Sequence, residues 1–167
     1  MAQSAKVIGI GAAGNKAAIA LVENQIVDSQ KVLLLNSTLK DVPQKYKEYA
    51  IEFGDVRGCG KERNLAKQMI LKALQSGQVN LDSFMDPEDV MCIIVTSSEG
   101  GTGCGASSII AEYLNSIGVC VHMFVFTGFE DDVRGLKNTV DWFNDLSDNY
   151  VVEAISNKKF LDSVDNN

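Results

Sequence analysis

Ser98-Glu99-Gly100-Gly101-Thr102-Gly103-Cys104-Gly105-Ala106-Ser107 places four glycines within six residues. An apolar run, Val90 to Val95, precedes it. A helical pattern of Ile109, Ile110, Tyr113, Leu114 and Ile117 follows. A strand feeding a glycine-rich loop that opens a helix is suited to cradling phosphate. Glycines let successive backbone N–H groups turn toward an anion with no Cβ in the way. The helix N-terminus adds partial positive charge at the same place, and the Thr102 hydroxyl adds a donor. Without a ligand the segment would be a tight strand-to-helix turn. So many glycines favour the cradle, because each costs backbone entropy and needs a reason. The loop lacks the Gly-Lys-Ser/Thr ending of a Walker P-loop.

A second glycine loop lies near the N-terminus. Gly9-Ile10-Gly11-Ala12-Ala13-Gly14 reads G-x-G-x-x-G after a short strand, with a helix expected from Lys16 to roughly Asn24. That spacing suggests a dinucleotide site, which also wants an acidic residue at the end of the second strand to hold a ribose. Here the second strand, Val32 to Leu35, ends in Asn36-Ser37-Thr38 with no acid. A nicotinamide-linked oxidoreductase therefore loses its main corroboration. Two phosphate-type loops on two strands suit a longer phosphate chain.

The elements that must hold these loops alternate along the chain. Strand patterns run over Val7–Ile10, Lys31–Leu35, Ala50–Phe53, Val90–Val95, Val119–Phe126 and Tyr150–Ile155. Helical patterns run over Glu62–Gln75, Gly105–Ile117 and Gly135–Leu146. Leu65, Met69, Leu71 and Leu74 form one apolar stripe; Leu136, Val140 and Phe143 form another. Such alternation predicts an α/β, three-layer, Rossmann-like parallel sheet with helices on both faces. Ligands on such sheets bind at the carboxyl ends of the strands, where every loop singled out above begins. Trp142 and Phe143 are expected to pack helix on sheet, and His122 to be a packed strand histidine.

The 167 residues suffice for one domain with a real core, and 46% apolar with 22% charged residues is ordinary for a globular protein. The net charge of −7 argues against direct nucleic-acid binding, which needs clusters of Lys and Arg. Cys59, Cys92, Cys104 and Cys120 show no metal-ligand spacing. Cys92 and Cys120 read as core residues, and Cys104 at a helix N-terminus has a setting that lowers a thiol pKa. With no disulfide pattern, signal peptide or membrane-length apolar run, the expected compartment is the cytoplasm, away from any membrane.

Taken in order, these loops resemble the tubulin/FtsZ superfamily of cytoskeletal GTPases. Gly100-Gly101-Thr102-Gly103-Cys104-Gly105 is similar to the tubulin signature G-G-T-G-[ST]-G, with Cys104 where Ser or Thr is usual. Val7 to Asn15 resembles the first phosphate loop of FtsZ, with Ala12 and Ala13 in place of glycines. Arg57-Gly58-Cys59-Gly60-Lys61-Glu62-Arg63 resembles the loop that senses the γ-phosphate, in wording closest to the plasmid and phage TubZ proteins.

The resemblance implies GTP or GDP with Mg²⁺, the metal held mainly through phosphates and water with no protein ligand named. It implies phosphate contacts from Gly11, Ala12, Ala13 and Gly14. Gly100, Gly101, Thr102, Gly103, Cys104 and Gly105 would hold the α- and β-phosphates. Gly58, Gly60 and Lys61 would sense the γ-phosphate; a plain surface lysine is the alternative at Lys61. Asn15 would contact the nucleotide or cap the first helix. Asn36 would lie near base or phosphates. Glu130 and Arg134 would contact ribose and base, or form an i,i+4 surface ion pair. Asn157 would read guanine, or stand as a loop asparagine. Family members continue into a central helix, a catalytic loop and a second domain. The chain therefore reads as the GTP-binding domain, 1–167, inactive alone. The resemblance further implies self-association into filaments, hydrolysis at the subunit interface, a role in plasmid or phage DNA positioning or division, and a DNA-bound adaptor reached through the absent part. A non-hydrolysing filament-capping or regulatory module is the alternative.

Overall fold

The computed structural model describes residues 5–55, 57–128 and 131–159. Six parallel strands form one sheet: β1 (Lys6–Ile10), β2 (Val32–Asn36), β3 (Ala50–Glu52), β4 (Met91–Ser97), β5 (Cys120–Thr127) and β6 (Val151–Ser156). Their spatial order is β3-β2-β1-β4-β5-β6. The long helices are α1 (Gly11–Glu23), α2 (Arg63–Gln75), α4 (Gly101–Ser116) and α5 (Val133–Asp145), with a single turn, α3 (Leu81–Phe84), between α2 and β4.

The topology follows from the handedness of the crossovers. The chain steps from β1 one way to β2 and, later, from β4 the other way to β5. Right-handed connections then put α1 and α4 on opposite faces. Side chains alternate accordingly. Ile8, Ile10, Leu33, Leu35, Ile94 and Met123 pack with Ile70 of α2, Ile110 of α4 and Trp142 of α5. Val7, Val32, Leu34 and Val95 point the other way, onto Ala18 and Ile19 of α1. Helices thus cover both faces as the alternation predicts, three long ones on one side and α1 on the other.

Several boundaries differ from the sequence reading. Helix α1 starts at Gly11 rather than Lys16, and α4 at Gly101 rather than Gly105. The segments read as glycine loops are mostly first helical turns. Their glycines answer to packing as much as to backbone freedom. A Cβ on Gly14 would sit 2.1 Å from the Val95 carbonyl oxygen, so α1 lies on β4 closer than any side chain allows.

Two apolar stripes are displaced. Helix α2 buries Ala66, Ile70 and Ala73; of the expected stripe, Met69 and Leu74 pack against this core while Leu65 and Leu71 are exposed. Helix α5 buries Gly135, Asn138 and Trp142 and turns Val133, Leu136, Val140 and Phe143 outward. Phe143 is thus not a packing residue, although Trp142 is fully buried with its indole N–H donated to Ser107 Oγ at 2.8 Å. Cys120, at the start of β5, is exposed rather than in the core. His122 is half-buried, stacked on Phe124 and bonded to Glu153 at 3.0 Å.

Gly14→Ala should therefore destabilise the protein by about 1–3 kcal/mol through overpacking, read as a lower urea midpoint with unchanged slope. Gly100→Ala meets nothing within 4 Å and should stay within about 0.5 kcal/mol of the parent.

Candidate functional site

Strands β1 and β4 are neighbours, and α1 and α4 leave their carboxyl ends toward opposite faces. At that topological switch point the two helix N-termini come together. Gly11 adopts φ +75°, and a Cβ there would lie 3.0 Å from the backbone nitrogen of Gly103. Neither helix has a side-chain cap: Ile10 and Gly100 occupy the N-cap positions with no capping bond. By contrast, Asp132 caps α5 by accepting from the Gly135 N–H. The first-turn N–H groups of α1 and α4 are thus left for a ligand, with the positive ends of both dipoles behind them.

These N-termini open on a cavity of about 580 Å³. Ile10 to Ala13 and Ser97 with Glu99 to Gly103 form its floor. Asn36, Ser37, Thr38 and Asp41 line it beyond β2; Arg57 to Lys61 and Asp132 close the other side. Ser37 and Thr102 share a hydroxyl bond of 2.8 Å, which ties the end of β2 to the first turn of α4. The loop before α2 is built from left-handed residues: Gly58 at φ +68°, Gly60 at +48° and Lys61 at +64°. The Lys61 ammonium bonds the Asp132 carboxylate across the cavity rim, and Glu62 pairs with Arg134 beside it.

No protein-family model matches the chain. The cell division protein FtsZ of Mycoplasmopsis pulmonis is 29% identical over 163 residues, 94% of this chain and 40% of that protein. Among solved structures, the GTPγS-bound CetZ2 protofilament of Haloferax volcanii superposes with a TM-score of 0.81 at 20% identity, covering 94% of this chain and 50% of that one. The TubZ protofilament of bacteriophage PhiKZ gives 0.74 at 14% identity, covering 96% and 53%. The chain is similar in sequence to FtsZ and shares the fold of these solved tubulin-like structures. It spans 40% of the FtsZ relative and about half of these solved chains.

Within this fold, the residues singled out from sequence divide into two sets. Gly11, Ala12, Ala13, Asn36, Gly58, Gly60, Lys61, Gly100, Gly101, Thr102 and Gly103 line the cavity. Gly14, Asn15, Cys104, Gly105, Arg134 and Asn157 do not. Gly14 and Gly105 are close-packing positions; a Cβ on Gly105 would meet the Arg63 carbonyl oxygen at 2.2 Å. Asn157 stands half-buried directly after β6. Arg134 pairs with Glu62; Glu130, and with it the expected contact to Arg134, lies outside the described residues. Lys61 is exposed and its ammonium pairs with Asp132 across the rim.

Asn15 is the informative member of the second set. It caps nothing, because α1 begins four residues earlier. It is 2% exposed, and both polar atoms of its amide are buried without a partner. Helical side chains lean toward the N-terminus of their helix, which here is the cavity end. Buried amides in native proteins are nearly always bonded, so this one calls for a ligand atom or a water.

Sequence reading missed the Ser37–Thr102 pair and the carboxylates of Asp41, Glu99 and Asp132. Ser37 directly follows Asn36, so a wider window at the end of β2 would have included it. Asp132 had no local signal, since its contact with Lys61 spans 71 positions. Among the described residues no cluster of three or more His, Cys, Asp or Glu is placed to hold a metal, and no helix is long and apolar enough to cross a membrane.

The Lys61 ammonium, with the Gly135 N–H, holds the Asp132 carboxyl below the usual aspartate range. Folding lowers this pKa. The rim pair therefore contributes above the unfolded value, about 3.9, and is lost as pH falls through the folded value. The Cys104 thiol departs from the sequence expectation. Desolvation raises its pKa despite the neighbouring Arg63, and its Sγ lies 3.2 Å from the Asn138 carbonyl oxygen. Burial pushes Cys92 up to about 12. At pH 8 a maleimide should thus label Cys120 of the native protein within minutes and leave Cys59, Cys92 and Cys104 until denaturant is added, as peptide mass mapping would show. Equal labelling of Cys104 would contradict the burial.

Proposed function

We infer that the chain is the nucleotide-binding domain of a filament-forming GTPase, with a guanine nucleotide and its Mg²⁺ in the cavity between α1 and α4. The observation that carries this reading is the pair of uncapped helix N-termini side by side on one cavity. A single pyrophosphate needs one such N-terminus. Two, with the Lys61 loop across from them, suit a di- or triphosphate. The orphaned Asn15 amide, inside the first of the two helices, supports a ligand that extends past its phosphates. The solved relatives support the same ligand class, one being described as GTPγS-bound.

Each part has a physical task. The first-turn N–H groups of α1 and α4 hold phosphate oxygens, each helix N-terminus contributing about 0.3–1 kcal/mol to an exposed anion and up to about 2 when partly buried. Thr102 adds a hydroxyl that Ser37 orients. Lys61 exchanges Asp132 for the terminal phosphate. Magnesium enters with the nucleotide, coordinated mainly by phosphate and water. Such a domain positions charge; the water-activating groups come from a second subunit, as the resemblance implies. Two relatives are described as protofilaments, which supports self-association of the whole protein. Movement or positioning of plasmid or phage DNA, or a part in division, is the cellular role we assign to that polymer.

A second reading rests on one observation, the outward apolar stripe of α5. It makes the chain a module that binds nucleotide without turnover and docks on a polymer of full-length relatives. Such a module should change polymer mass at substoichiometric dose in a sedimentation assay. A purely nucleotide-binding domain should not.

Isothermal titration with GTP, GDP, ATP and NAD in Mg²⁺ tests the main reading. GTP and GDP should bind and NAD should not, whereas NAD preference would transfer the site to a dehydrogenase. Thr102→Val should weaken GTP binding about tenfold, the loss of one charge-assisted hydrogen bond. Unchanged affinity would remove Thr102 from the phosphate site.

A further inference from the structure

We propose that Asn138 is the positioning residue that locks the loop at 57–62 against the N-terminus of α4 and thereby sets the preference for a nucleoside triphosphate over a diphosphate. This rests on the nucleotide reading above. Asn138 lies in the middle of α5, 6% exposed, and does not line the cavity. Its amide nitrogen donates to the Lys61 carbonyl at 3.0 Å and to the Glu99 carbonyl at 3.0 Å. An asparagine amide has two N–H donors, and both are spent here. One side chain thus joins two cavity-lining segments that are far apart in sequence. Its own backbone carbonyl receives Cys104 Sγ, so the first turn of α4 meets the same residue.

The two joined segments are also in direct contact. A Cβ on Gly101 would lie 2.8 Å from the Glu62 backbone nitrogen. Their relative position is therefore tight, and Asn138 holds it from behind. Lys61 shows why a lock is needed. A side-chain-bearing residue at φ +64° is strained and persists where its surroundings over-determine it. Asn138 fixes its carbonyl and Asp132 its ammonium. With the amide donors gone, Lys61 can relax toward negative φ and carry the Gly58–Gly60 backbone away from the cavity. The N-termini of α1 and α4 are carried directly by β1 and β4 and still hold a diphosphate. The cost falls on the third phosphate.

The test titrates the parent, Asn138→Ala, Asn138→Asp and Trp142→Phe with GTP and with GDP in Mg²⁺. Both Asn138 variants should lose about tenfold in GTP affinity, with GDP held within about threefold. Trp142→Phe removes the bond to Ser107 one turn further along the same helix. It should lower Tm and leave the GTP/GDP ratio alone, which separates positioning from mere stability. An unchanged ratio in both Asn138 variants, or an equal change in Trp142→Phe, overturns the proposal. Should both Asn138 variants fail to fold, the side-chain amide resonances of Asn138 in the parent decide. They should differ between the GTP and GDP complexes, and identical resonances overturn it. A parent that binds neither nucleotide refutes the nucleotide reading itself, a result distinct from all of these.

Discussion

Two helices that leave adjacent parallel strands toward opposite faces must start from nearly the same point. Everything functional in this molecule depends on that constraint. Right-handed crossovers fix the faces, and the order β3-β2-β1-β4-β5-β6 fixes the adjacency. Steric room then decides whether the two starts can meet. Gly11 and Gly103 supply that room at the meeting point, and Gly14 lets α1 settle onto β4. Bulk at any of these positions would part the helices, and the first-turn N–H groups would no longer converge on one cavity.

Helix α5 solves a different problem. An ordinary surface helix buries its apolar stripe, but α5 buries Gly135, Asn138 and Trp142 and leaves its valines and Leu136 outside. Its attachment is polar and specific. Asp132 reaches Lys61, Asn138 reaches Lys61 and Glu99, Thr139 bonds Ser98 at 2.8 Å, and Trp142 bonds Ser107. Hydrogen bonds fix orientation where apolar packing tolerates sliding. Four of these five bonds end on the segments just before α2 or α4, and the fifth ends on α4 itself. The helix functions as a brace for the ligand-facing loops.

The same contrast explains what the sequence disclosed. The sheet was legible because β1, β2, β4 and β5 are short apolar runs with turn signals between them, and the right-handed rule does the rest. The cavity floor was legible because glycine clusters after strands are rare without cause. Helix starts at Gly11 and Gly101 were not, because glycine reads as loop while here it serves close approach. The α5 stripe misled, and the α2 stripe in part, because a hydrophobic period identifies a face without saying which face is buried. Long-range polar pairs such as Lys61–Asp132 and Ser37–Thr102 carry no local period, so no pass along the chain would find them. Cys104 was misjudged for a related reason. A helix N-terminus lowers a thiol pKa where water reaches it, whereas this thiol is enclosed between α4 and α5 and desolvation prevails.

An acidic protein with carboxylates at Asp41, Glu99 and Asp132 around its cavity looks ill-suited to an anion. The distribution of charge resolves this. The attractive groups are backbone N–H donors and helix dipoles, fixed in place and requiring no reorganisation when a phosphate arrives. The carboxylates are on side chains, and Asp132 is neutralised by Lys61 until a competing anion draws the ammonium away. A polyphosphate carrying its own divalent cation presents a reduced charge to those carboxylates. A bare polyphosphate meets their full repulsion. For the guanine nucleotide proposed above, this charge balance favours the metal-bound form, and binding should strengthen with Mg²⁺.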